Sequence, residues 1–177
     1  MPIIERVVGK KEKKGKRISY KTTAHMKNAI KYILEEGKTD DSLIGSVNLI
    51  NKNNAFNEFV LNKMTYNKMP KSKLDTSKRM IVHFVQSFDP KDPNITPELA
   101  KKIADEFASS IYFKEYQVIY AVHTDAGHIH THFIINTTNV TNGKAWQQTA
   151  NELEAMKQLS DKIALSYGIS IINDRSK

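Results

Sequence analysis

From His128 to Phe133 the chain alternates polar and apolar residues one for one (HIHTHF), and the run closes on Ile134, Ile135 and Asn136. A strand turns residues i and i+2 to the same face, so this period predicts a strand over 128–136. His128, His130 and His132 line one side, and Ile129, Thr131, Phe133 and Ile135 line the other. The apolar stretch YQVIYAVH, Tyr116 to His123, predicts a strand just before it, with Thr124 to Gly127 as the hairpin loop.

The helical period appears first at Met26, Ala29, Ile30, Ile33 and Leu34, spaced i, i+3, i+4, i+7 and i+8. Thr22 or Thr23 can cap this helix, which is expected to run to about Glu36 and end at Gly37. At roughly 100° per residue, Tyr32 falls about 130° from the centre of the stripe, so its hydroxyl is not committed to the core. Further helices are expected at Ala55–Met64, after the Thr96-Pro97 start, and at Glu152–Tyr167, ended by Gly168. In the last of these Leu153, Met156, Leu159, Ile163 and Tyr167 face inward. Short strands are expected at Pro2–Val8, Ser46–Ile50, Met80–Phe88 and Ile169–Ile172. The order β-α-β-α-β-α-β-β-α-β predicts an α+β fold, a central and mostly antiparallel β-sheet with helices packed against it.

Composition narrows the function. With 177 residues and 40% apolar content the chain suits one domain with its own core, spanning 1–177. It has no cysteine, which excludes disulfides and thiolate metal sites. No apolar stretch approaches about 20 residues and no signal peptide opens the chain, so no membrane insertion and a cytoplasmic location are expected. A net charge of +8 argues for a polyanionic partner. The excess is local: Lys10, Lys11, Lys13, Lys14, Lys16 and Arg17 form one run, and Lys63, Lys68, Lys71, Lys73, Lys78 and Arg79 a second cluster. Asn51 and Lys52, after the Ser46–Ile50 strand, add polar groups able to meet phosphates.

Four histidines within ten residues, His123, His128, His130 and His132, outweigh the ordinary fate of a lone strand histidine as a surface or core residue. They point to a divalent metal site. Same-face neighbours on a strand lie about 7 Å apart and metal–nitrogen bonds are roughly 2 Å, so only one adjacent pair of the three strand histidines can ligate. His123, returning from the preceding strand, is the natural third ligand. Three neutral imidazoles leave positions open on the ion, as catalysis requires.

The motif HxDxxHxHxH, read here as His123, Asp125, His128, His130 and His132 and followed by an apolar run and Asn136, resembles the third signature of conjugative relaxases. These are MOBP-like members of the HUH endonuclease superfamily, which nick DNA at an origin of transfer. Lys31-Tyr32-Ile33 followed by Gly37-Lys38-Thr39 is similar to the segment that carries the family's nucleophilic tyrosine, and His83 begins an HxxQSF pattern. The resemblance implies the HUH relaxase palm fold, metal ligands His123, His130 and His132, and Tyr32 as nucleophile with Tyr20 in reserve. Asp125, His128 and His83 are then candidates for the base or for orienting the ligands. It also implies Mn or Mg as cofactor, although all-imidazole ligation also suits Zn, Co or Ni. The implied partners are single-stranded and hairpin DNA, accessory relaxosome proteins and a coupling protein in a bacterial cytoplasm. The chain is then expected to be the N-terminal part of a longer protein. Two other readings stand beside this one: a metal-dependent phosphodiesterase using activated water, and a non-enzymatic DNA-binding module with a structural zinc.

Overall fold

A computed structural model describes residues 3–6, 20–68 and 79–170 of the chain. Its centre is the strand His130–Asn139, in which all ten residues are buried. A strand covered on both faces must be apolar or internally bonded throughout, and this one is flanked by ladders on either side. In chain order the elements are β1 (Ile3–Arg6), α1 (Thr23–Ile33), β2 (Ile44–Val47), α2 (Ala55–Asn67), β3 (Ile81–Ser87), α3 (Pro97–Ala108), β4 (Tyr116–His123), β5 (His130–Asn139) and α4 (Ala150–Ser166), with 3₁₀ turns before β2 and α2. The five strands form one sheet in the order β1-β3-β5-β4-β2, and each neighbouring pair is antiparallel.

The helices cover both faces. α1 and α2 bury Met26, Ile30, Ile33, Phe59 and Val60 against Ile81, Ile119, Ala121 and Ile134. α3 and α4 bury Ile103, Phe107, Met156 and Ile163 against Phe84, Val118, Val122, Phe133 and Ile135. Burying each such side chain fully is worth about 1.5–3 kcal/mol, so the two apolar layers hold the sheet between them. Alternation along β5 decides which layer each residue meets. His130, His132 and Ile134 face α1 and α2, while Thr131, Phe133 and Ile135 face α3 and α4.

Helix starts follow local chemistry. Thr22, Thr96 and Thr149 each accept a backbone N–H with the side chain, and Thr149 with Glu152 completes a capping box. Several element boundaries depart from the sequence expectations: α2 runs on to Asn67, β5 runs on to Asn139 and α4 starts two residues early, at Ala150. The second strand lies at Ile44–Val47 rather than Ser46–Ile50, because Asn48 takes a left-handed backbone (φ 54°) and donates its side-chain amide to the Lys114 and Tyr116 carbonyls. β5 starts at His130 rather than His128, since the hairpin loop runs through residue 129. α1 ends at Ile33, with Leu34 as its cap, short of Glu36. Tyr167, expected to be inward, is exposed just past the end of α4. Ile169 is buried but is not in a strand, while Ile171 and Ile172 lie outside the described residues. No described helix is long and apolar enough to cross a membrane.

Candidate metal centre and tyrosine site

Register brings the histidines together. His123 closes β4 directly opposite His130, which opens β5, and His132 lies one same-face step further along. The rings of His123 stand 5.3 Å from His130 and 4.6 Å from His132, and one nitrogen of each of the three comes within 4.8 Å of the others. All three side chains are buried. This group could hold a metal ion.

The second nitrogen of each ring indicates which atom would face the ion. His123 Nε2 lies 2.9 Å from the Ile33 carbonyl, His130 Nδ1 lies 3.2 Å from the His128 carbonyl, and His132 Nδ1 lies 2.9 Å from His83 Nε2. A carbonyl can only accept, so it draws the proton of His123 to Nε2 and of His130 to Nδ1. The lone pairs of His123 Nδ1 and His130 Nε2 are left for the centre. His123 Nδ1 and His132 Nε2 are buried without a hydrogen-bond partner among the described residues. Orphaned buried nitrogens are costly, and a bound cation would satisfy both. Burial pushes all three imidazoles below their usual range, His132 to about 2, with His83 and then His123 adding to the shift there. They are neutral at pH 7, the form that ligates a metal.

Two tyrosines flank this centre. Tyr32, near the end of α1 and 45% exposed, sets its ring 5.8 Å from His123 and 5.6 Å from His132. The Lys38 ammonium sits 4.0 Å from the centroid of the Tyr32 ring and is also paired with Glu35. Tyr20, just ahead of α1, places its hydroxyl 3.1 Å from His83 Nδ1. Its backbone carbonyl accepts from the Met80 N–H, which ties it to the start of β3.

The other expected site residues spread more widely. Asp125 and His128 lie on the 124–129 loop. A carboxylate oxygen of Asp125 is 3.9 Å from His123 Nδ1, and the half-buried His128 ring lies 4.9 Å from that of His130, tilted by 30°, without joining the three-histidine group. His83, on β3, is buried between Tyr20 and His132, and burial holds its imidazole down to about 4. Asn51 is exposed and its side chain caps the turn before α2. The Lys52 ammonium is engaged by the Asp41 carboxylate and carbonyl, and Lys68 is exposed at the end of α2. Lys10, Lys11, Lys13, Lys14, Lys16, Arg17 and Lys71 lie outside the described residues. Lys38 and the Ile33 carbonyl enter the site without being singled out by spacing, since nothing in a linear pattern reports a cation over a ring or a backbone acceptor across a sheet.

Comparison with known proteins places the chain in a family. The family model described as relaxase, MobA/VirD2-like, nuclease domain matches residues 32–169, a span that opens on Tyr32 and leaves Tyr20 outside. The group II intron-interrupted relaxase LtrB of Lactococcus lactis subsp. cremoris (strain MG1363) is 30% identical over 182 residues, covering 84% of this chain and 32% of that protein. Proteins named rlx from Staphylococcus aureus are 31% and 36% identical over 93 residues each, covering 52% and 49% of this chain. The chain thus spans 32% and 27% of the length of LtrB and of the first rlx protein. With the family match covering most of its length, the chain belongs to the MobA/VirD2-like relaxase nuclease-domain family.

Proposed function

We propose that this domain nicks and rejoins one strand of DNA at an origin of transfer by tyrosine transesterification. The observation that carries the reading is the position of Tyr32, a partly exposed phenol set against two of the three clustered imidazoles with a lysine ammonium over its ring. His123 Nδ1, His130 Nε2 and His132 Nε2 are the atoms that would hold a divalent cation, Mn or Mg by family resemblance and Zn, Co or Ni by ligand chemistry. Such an ion would supply Lewis-acid stabilisation of the charge that develops on the scissile phosphate.

Tyr32 Oη forms the new bond to phosphorus while the bond from phosphorus to the 3′ oxygen breaks. The phosphate stays on the enzyme as a 5′-phosphotyrosine, and the departing strand takes up a proton as its 3′-hydroxyl. A free tyrosine has a pKa of about 10, so its proton needs an acceptor or its phenolate a nearby cation. Lys38 supplies the cation, and Asp125 and His128, on the 124–129 loop, are the bases at hand. Because the phosphoester is stored rather than hydrolysed, attack by a 3′-hydroxyl reverses the step and reseals the strand. Single-stranded and hairpin DNA, together with accessory and coupling proteins, are the partners this role calls for. Exposed Lys68 and the basic run at 10–17 would serve phosphate contact.

The test is incubation with labelled single-stranded DNA carrying the origin of transfer, with Mn²⁺ or Mg²⁺, followed by denaturing electrophoresis. A protein–DNA adduct that disappears in Tyr32→Phe is the expected result. Cleavage without any adduct would replace the reading with water-based phosphodiester hydrolysis, and an adduct retained by Tyr32→Phe would move the nucleophile elsewhere.

A further inference from the structure

We infer that Tyr20 and His83 are positioning residues which hold His132 in the one tautomer able to bind the ion through Nε2, an inference that rests on the metal centre proposed above. The three side chains form a continuous chain of hydrogen bonds, 3.1 Å from the Tyr20 hydroxyl to His83 Nδ1 and 2.9 Å from His83 Nε2 to His132 Nδ1. Their rings follow the same path, with centroids 6.0 Å and then 5.0 Å apart. His83 and His132 are both buried, so water does not compete for these bonds.

A neutral imidazole carries one N–H and one lone pair, which gives this chain only two consistent directions. In the first, Tyr20 donates to His83 Nδ1, His83 Nε2–H donates to His132 Nδ1, and the proton of His132 is forced onto Nε2. That atom is then blocked as a ligand. In the second, His132 Nδ1–H donates to His83 Nε2, His83 Nδ1–H donates to the Tyr20 oxygen, and His132 Nε2 presents its lone pair to the centre. The second direction fits the orphaned, buried state of His132 Nε2. It also fits His123 and His130, whose far nitrogens donate to the carbonyls of Ile33 and His128. Each of the three imidazoles then has an acceptor behind it.

The two tyrosines consequently divide the work. The Tyr20 oxygen is occupied as an acceptor and its ring is half-buried, whereas Tyr32 is partly exposed and, among the described residues, has no imidazole bonded to its hydroxyl. Tyr20 therefore acts through His83 on the ligand, and Tyr32 alone is placed for attack. Glutamine at position 83 can present an acceptor oxygen near the place of Nε2, but leucine cannot. The two substitutions separate hydrogen bonding from packing.

The experiment titrates Mn²⁺ into wild-type, Tyr20→Phe, His83→Leu and His83→Gln proteins by calorimetry, with the melting temperature of the metal-free proteins as the control for folding. Removing such an outer acceptor typically weakens a metal site by about 10–100-fold. His83→Leu should show that loss, His83→Gln should recover most of the affinity, and Tyr20→Phe should fall between them. Long-range ¹H–¹⁵N spectra of the Zn²⁺-loaded wild type should show His83 and His132 both protonated at Nδ1, a result independent of whether any variant folds. Mn²⁺ affinities unchanged across all three variants, or His83 protonated at Nε2 in the loaded protein, would overturn the inference alone. A wild-type protein that takes up no divalent ion would overturn both the inference and the metal-assisted function on which it rests.

Discussion

Lys38 shows how one side chain can join the proposed nucleophile to the turn beside it. Its ammonium lies over the Tyr32 ring and pairs with Glu35, and its backbone carbonyl accepts from Thr124 at the start of the hairpin loop. Its own pKa is raised, chiefly by the hydrogen bond to Glu35, so it stays charged through the neutral range. Lys38→Gln removes a cation from beside a developing phenolate and should slow adduct formation about tenfold. Mn²⁺ uptake by the same variant should be retained or slightly strengthened, because the lysine charge repels positive charge at His123 and His132. Rapid-quench measurement of the adduct together with calorimetry checks both halves. At this scale the histidine cluster was legible in the sequence because alternation reports a strand face directly. Tyr32 was legible as a tyrosine off the apolar stripe, and the family pattern of Lys31-Tyr32-Ile33 selected it. The contact between Tyr20 and His83 was not, since 63 residues separate the two and only the sheet brings them together.

Between strands, close approach replaces side-chain chemistry. Gly45 on β2 pairs with Tyr120 on β4, and a Cβ at position 45 would meet the Tyr120 ring at 2.3 Å. That ring cannot easily give way. Its hydroxyl donates to Asp105 at 2.6 Å and its face stacks on Phe133 at 5.4 Å. Gly45→Ala should therefore cost about 1–3 kcal/mol through overpacking. In thermal unfolding this should appear as a fall of roughly 3–9 °C in Tm. The elements themselves were largely readable, α1 and α3 from their stripes and caps and β4 from its apolar run. What failed were the ends. The residue that stops β2 is Asn48, and its left-handed turn depends on two carbonyls more than sixty residues away, so no local pattern announces it.

Among the described side chains the lysines and arginines are exposed or half-buried, with one exception. Lys63 on α2 is buried, and its ammonium bonds only to the hydroxyls of Thr137 and Thr138, with no carboxylate pairing among the described residues. Burial lowers its pKa from 10.5 to about 7. Above pH 7 the folded chain releases this proton while the unfolded chain keeps it until about pH 10.5, so the unfolded state binds more protons and stability should rise with pH across that window. Below pH 7 both states are charged, and the full cost of burying the cation is felt. Chemical denaturation at pH 7 and pH 9.5 should show wild type gaining on the order of a few kcal/mol relative to Lys63→Met. Sequence reading grouped Lys63 with the surface basic cluster, because charge counting cannot tell which side of a helix meets the sheet. The fold also joins two parts of the chemistry at a single point. The Ile33 carbonyl at the end of α1, which lacks an intrahelical partner, is where His123 rests, and Tyr32 is its chain neighbour. The proposed nucleophile and a candidate ligand therefore share one anchorage, so a substitution that unwinds this last turn should weaken cation uptake and adduct formation together.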